Sequence, residues 1–185
     1  TPFGLSYAGD YIHPTFADLD GDGNEDLFIG NDNGDSVYFH NGGVGVVPHF
    51  SYSSKGISLD MIGLSFLSDP TFVDIDGDGD LDVFVGNSDG KIIFSRNTGT
   101  VSAPVFAPAT INPFGLSDVG SYADPSLVDI DGDADLDAFV SNSDGNILFF
   151  RNTGTISAPV FASALMNPFG LSDAGGVFAS ITLVD

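Results

Sequence analysis

The sequence predicts an all-β chain made of tandem, four-stranded antiparallel units, about three of them plus one extra strand. Three observations lead there. A nine-residue acidic segment recurs at fixed spacing, short runs dense in β-formers follow it each time, and no stretch sustains a helical period. The segment runs Asp-Leu-Asp-Gly-Asp-Gly-Asn-Glu-Asp at Asp18–Asp26, and returns at Asp74–Asp82 and Asp129–Asp137, with starts 56 and 55 residues apart. With 24 Gly and 10 Pro, the 185-residue chain is also punctuated too often for helices.

The second unit shows how each element is expected. Pro70–Ile75 reads as a first strand running into the acidic segment, and Leu81–Val85 as a second, rich in β-branched and aromatic residues. Asn87–Gly90 supplies a tight turn, its Asp-Gly pair suited to positive φ. Lys91–Phe94 is the third strand and Pro104–Ala107 the expected short fourth. Residues 108–125, rich in Pro, Gly, Ser and Asp, read as the loop to the next unit.

Other landmarks keep step. Pro48, Pro104 and Pro159 each precede a Phe by two residues, and Arg96-Asn-Thr-Gly-Thr100 returns as Arg151-Asn-Thr-Gly-Thr155. Asn-Pro-Phe-Gly-Leu-Ser-Asp stands at 112–118 and 167–173, with a relative at 1–6. The units are therefore 1–56, 57–111 and 112–166, with 167–185 holding the first strand of a fourth that ends at Ile181–Asp185. Tandem four-stranded units of this length read as blades of the β-propeller type.

Composition narrows the chemistry. There are 25 Asp and a single Glu, Glu25, against 4 Lys plus Arg, for a net charge of −22. Such acidity with low hydrophobicity would mean disorder. Here 42% of residues are hydrophobic, 17 are Phe and the mean hydropathy is +0.19, so the chain must fold and its carboxylates must be neutralised. Four cations cannot form a nucleic-acid footprint or attract the chain to an anionic membrane surface. No apolar run approaches the roughly 20 residues of a membrane span, so no membrane insertion is expected. Without Cys there are no disulfides and no thiol chemistry.

Fifteen of the 26 acidic residues lie inside the three nine-residue segments. Carboxylates at positions 1, 3, 5 and 9 converge only if the chain curls tightly, which Gly at positions 4 and 6 permits. Unneutralised, each like-charge pair at about 4 Å would cost roughly 4 kcal/mol at an effective dielectric near 20. A hard cation taking six to eight oxygens resolves this, and a flexible all-protein set favours calcium over magnesium. An EF-hand would need a bidentate acid at the twelfth position, where Ile29, Val85 and Val140 stand. A nonapeptide calcium roll would repeat every nine residues rather than every 55 or 56.

These residues resemble the FG-GAP/VCBS repeats, which build the calcium-binding propellers of integrin α-subunits and many bacterial surface proteins. The resemblance covers essentially the whole chain. It implies ligation by the side chains of Asp18, Asp20, Asp22 and Asp26, with the carbonyl of Asn24. The second site would use Asp74, Asp76, Asp78 and Asp82 with the carbonyl of Asp80. The third would use Asp129, Asp131, Asp133 and Asp137 with the carbonyl of Asp135, giving about three Ca²⁺ in all. Ala134 departs from the pattern by replacing Gly at position 6. If positive φ is needed there, Ala costs about 1 kcal/mol, and the third site is expected to be weaker or slightly distorted.

No enzyme is expected. His13, His40 and His49 occupy no equivalent repeat positions and read as surface or turn residues. Arg96 and Arg151 are equivalent, with His40 at the same phase, and read as structural partners of a carboxylate or carbonyl. Clustered acids that might serve glycoside hydrolysis are already assigned to metal. Tyr7, Tyr11, Tyr38, Tyr52 and Tyr122 are scattered. Three units do not make an ordinary ring. The chain is therefore expected to be an excerpt of a longer propeller, to complete a ring with copies of itself, or to stack openly by strand addition into a filament. Two function classes fit. One is a calcium-stabilised, extracellular structural or adhesive module of a bacterial surface protein or fibre, self-associating and meeting glycans or cell-surface proteins. The other is a lectin-type propeller, for which Phe3, Phe114 and Phe169 are the repeated aromatics.

Overall fold

The computed structural model describes residues 12–30, 36–44, 47–52 and 70–171. Twelve strands among them form three four-stranded antiparallel sheets, each in simple sequence order. The first holds β1 (His13–Ala17), β2 (Asp26–Gly30), β3 (Ser36–Asn41) and β4 (Phe50–Tyr52). The second holds β5 (Thr71–Val73), β6 (Asp82–Gly86), β7 (Ile92–Ser95) and β8 (Thr110–Ile111). The third holds β9 (Asp124–Val128), β10 (Asp137–Ser141), β11 (Ile147–Phe150) and β12 (Leu165–Met166). Among the described residues helical geometry is confined to one turn at Pro113–Gly115, and none of them forms a helix long and apolar enough to cross a membrane. The chain is all-β and blade-like, and the three sheets close no ring. The expected strand at Ile181–Asp185, and Phe3, Tyr7 and Tyr11, lie outside the described residues.

The expected fourth strand at Pro104–Ala107 is a bridge instead, Asn97 to Phe106, repeated as Asn152 to Phe161. Asn97 Oδ1 accepts from the backbone N–H of Gly99 and Val105, and Asn152 Oδ1 does the same for Gly154 and Val160. Asn41 Oδ1 does so too, for Gly43 and His49, in the first unit, where the ladder runs on. In the other two the register slips by one residue, Asn97 pairing with Phe106 but Phe94 with Thr110, and Asn152 with Phe161 but Phe149 with Leu165. The ladder resumes at Thr110–Ile111 and Leu165–Met166, the former inside the stretch that reads as a loop. Only the first unit carries its fourth strand, Phe50–Tyr52, at the earlier phase.

The side chain of an asparagine also explains the Asn-Pro-Phe-Gly landmark. Asn112 Oδ1 accepts from Ile92 N, and Asn167 Oδ1 from Ile147 N, tying each linker to the start of the third strand. Both asparagines sit at φ 48°, a left-handed conformation that Asn tolerates. The Asn87–Gly90 turn forms as expected, with Gly90 at φ 77°. A Cβ on Gly90 would lie 1.3 Å from Gly120 O, so only glycine lets the linker approach.

Each second strand is buried on both faces, which is why these segments read as apolar runs rather than alternating ones. Val83 and Val85 pack towards the first unit with Leu19, Phe28 and Tyr38. Phe84 packs towards the third unit with Ile75, Leu127, Ala138 and Val140. Phe28 meets Phe72 edge-on at 5.3 Å across the first boundary, and Thr71 Oγ1 donates to Pro125 O across the second. This stacking presents the three acidic loops in the same phase of successive blades.

Candidate metal centre

Each loop joins the first strand of its unit to the second, and its first carboxylate organises the curl. Asp74 Oδ1 accepts from the N–H of Gly77 (2.7 Å) and Asp78 (3.1 Å), and Oδ2 from Gly79 (3.0 Å). Asp129 accepts from Gly132, Asp133 and Ala134 at 2.7, 3.1 and 2.9 Å. Asp18 does the same for Asp22 and Gly23. These bonds require left-handed residues at positions 4 and 6. Gly23, Gly79 and Ala134 stand at φ 89°, 91° and 74°, so Ala134 takes the same path as the glycines.

The curl brings part of each predicted ligand set together. Carboxylate oxygens of Asp74, Asp76 and Asp78 lie within 4.8 Å of one another, as do those of Asp129, Asp131 and Asp133. In the first loop the group so placed is Asp20, Asp22 and the imidazole of His40. Asp26, Asp82 and Asp137, at position 9, begin their second strands fully inside the protein. Asp82 Oδ1 accepts from Asn97 N at 2.7 Å and Asp137 Oδ1 from Asn152 N at 2.7 Å. Their Oδ2 atoms are buried with no partner, as are Oδ1 of Asp80 and Asp135 at position 7.

Burial, with Asp76 and Asp78 close by, pushes the Asp82 carboxyl up to about 7, against the opposing pull of Asn97 N–H and Arg96. Burial likewise raises Asp137, Asp80 and Asp135, with neighbouring carboxylates adding to it. The orphaned oxygens of Asp80, Asp82, Asp135 and Asp137 lack a hydrogen-bond partner, and a bound cation would take that place. The second and third loops therefore fit a hard cation by their donor chemistry.

The residues at the Arg phase take the expected structural role. Arg96 pairs with Asp76, Arg151 with Asp131, and His40 Nδ1 lies 3.1 Å from Asp20 Oδ2 and 3.3 Å from Asp26 Oδ1. His40 is thus not a plain surface histidine but part of the first cluster, a place its shared phase with the arginines already indicated. Tyr38 is the residue that sequence reasoning missed: its hydroxyl donates to Asp26 Oδ2 at 2.7 Å. Of the repeated aromatics, Phe114 packs edge-on against Phe94 at 5.0 Å, whereas Phe169, edge-on to Phe149 at 5.1 Å, stays 69% exposed.

Two overlapping stretches of the chain, 18–85 and 74–140, match the FG-GAP-like repeat, each spanning two successive acidic loops. No curated protein and no solved structure matches significantly. Acidic loop, apolar strand and four-stranded sheet thus recur as one unit, and the chain belongs to the FG-GAP-like repeat family.

Proposed function

We propose that this chain is a calcium-stabilised structural or adhesive module of an extracellular bacterial surface protein or fibre. The observation that carries the reading is the set of buried carboxylate oxygens without partners at Asp80, Asp82, Asp135 and Asp137. Asp74, Asp76, Asp78 and Asp82, with the carbonyl of Asp80, would hold one ion; Asp129, Asp131, Asp133 and Asp137, with that of Asp135, another. The ion supplies positive charge and oxygen coordination where the protein has no donor left to offer. Millimolar extracellular calcium suits flexible sites of this class, with dissociation constants of about 10⁻⁴–10⁻³ M. The role is mechanical rather than catalytic: neutralising each loop locks the start of a second strand onto its neighbours.

Self-association belongs to the same reading, and the burial of loop position 2 supports it. Leu19 and Ile75 are 4% and 1% exposed because the following unit covers them, whereas Ile130 is 48% exposed. Val101 of the second unit rests on Gly21 of the first loop, and Ile156 of the third unit on Gly77 of the second. Among the described residues nothing rests on Gly132. A further unit, the next of its own chain or one from another copy, would complete that contact. The lectin reading is the weaker one, since Phe114 is half-buried against Phe94 and only Phe169 of the two described repeats is exposed.

Scanning calorimetry with calcium and with EDTA tests the calcium role. Each site held at a hundredfold excess over its dissociation constant adds about 2.7 kcal/mol, so chelation should lower the melting temperature sharply. An unchanged melt would sink the reading. Light scattering with calcium present tests association, and a compact monomer at all concentrations would refute it.

A further inference from the structure

The three loops share one backbone path but not one set of partners. Position 7 is Asn24 in the first and Asp80 and Asp135 in the others; Tyr38 stands at the phase of Phe94 and Phe149; His40 stands at the phase of Arg96 and Arg151. All three exchanges change what the carboxylates of the first loop can pair with. Their combined effect falls on Asp26.

An ionised carboxylate offers about four lone-pair directions. At Asp26 four groups face them. Asn41 N donates to Oδ1 at 2.7 Å and His40 Nδ1 lies 3.3 Å from the same oxygen. Tyr38 Oη and Leu19 N donate to Oδ2 at 2.7 and 3.3 Å. At Asp82 and Asp137 only Oδ1 is engaged, and Oδ2 has nothing. Position 7 follows suit. Asn24 Nδ2 donates to Asp22 Oδ1 at 3.0 Å, while Asp80 and Asp135 each add a buried oxygen without a partner. The donors that calcium would replace in the second and third loops are already built into the first.

We infer that the first loop is closed by its own side chains and stays empty at calcium concentrations that fill the second and third, so the chain carries two ions rather than three. This rests on the calcium reading above. His40, Arg96 and Arg151 alike would have to yield at position 3 (Asp20, Asp76 and Asp131), so the difference lies at position 9. There an ion entering the first loop would have to displace Tyr38 from Asp26, which weakens binding by about tenfold. The first unit is then the calcium-independent member of the array, and the other two are conditional on the ion.

Counting ions by native mass spectrometry of the whole chain in rising calcium tests this. Two ions are expected before any third. Three of equal affinity would overturn the inference and leave the calcium reading standing, whereas none would overturn both. Amide resonances locate the ions: Gly79 and Ala134 should shift on titration while Gly23 stays put, and a shift at Gly23 in the same calcium range would overturn the assignment. Asn24→Asp, Tyr38→Phe and His40→Arg together give the first loop the residues of the second, and the count should rise to three. A count still at two would show that these side chains are not what closes the loop. Tyr38→Phe alone is the gentler variant, since Phe occupies that phase in both other units, and it should narrow the affinity gap.

Discussion

The hydroxyl of Tyr38 donates to Asp26 Oδ2 at 2.7 Å, filling the very oxygen that is left without a partner in Asp82 and Asp137. One oxygen atom, Tyr against Phe, separates a loop that satisfies itself from two that do not. The bond ties the start of β2 to β3, and burial beside Asp26 raises the tyrosine hydroxyl well above its ordinary range. Tyr38→Phe should therefore destabilise the metal-free protein by about 1.5–3 kcal/mol, the worth of a hydrogen bond to a charged group. The reciprocal Phe94→Tyr should stabilise the metal-free protein and weaken calcium binding at the second loop. Chemical denaturation in EDTA measures both, and opposite signs are required.

The Asp82 carboxyl, raised to about 7 from an ordinary 3.8, gives the metal-free protein a pH dependence of definite sign. Between those values the folded state holds a proton that the unfolded chain has released. Stability must then fall as pH rises from about 4 to about 7, and change little above that on account of this group. Calcium cancels the loss, so the gap between melts with calcium and with EDTA should widen from pH 5 to pH 7.5. Asp82→Asn should make the metal-free profile less steep, the raised Asp80, Asp135 and Asp137 keeping the rest of the slope. A metal-free melting temperature that climbs over the same range would contradict the assignment.

Ala134 adopts φ 74° where its equivalents are glycines. A Cβ on Gly79 would meet nothing within 4 Å, so the space is open and the cost is conformational alone. Ala134→Gly should stabilise the third unit by about 0.5–1 kcal/mol, the relief of left-handed strain less the extra entropy of an unfolded glycine. Gly79→Ala should cost a similar amount in the second. Equilibrium unfolding of the two variants would show the mirrored effect.

Ile130 is the loop residue that the packing of the other two units says should be covered. Ile130→Asp should leave the melt of the single chain within about 0.5 kcal/mol, as surface changes do, yet reduce particle size in calcium. Light scattering at matched concentrations distinguishes the two, and a particle size unaffected by the charge would remove this face from the contact.

Much of this molecule was legible in its residues. Spacings of 56 and 55 located three units, apolar runs located the second and third strands, and carboxylates at positions 1, 3, 5 and 9 announced loops that gather charge. Those features are local: a β-strand shows in its own side chains, and a curl shows in its glycines. The fourth strand lies beyond Pro104–Ala107 because the register slips by one residue after the Asn97–Phe106 and Asn152–Phe161 bridges, a slip that no periodicity reveals. His40 could be placed by its phase with Arg96 and Arg151, but its phase did not say which carboxylate it would meet.

By itself the sequence determined the class of fold, the number of acidic loops and the carboxylates that stand in each one. Only the tertiary structure decided which of those carboxylates are already satisfied. Tyr38 lies twelve residues from Asp26 in the chain and reaches it only because β2 and β3 pair in register. Whether a buried oxygen has a donor depends on what the neighbouring strand carries past it, and that is a property of the register rather than of the loop.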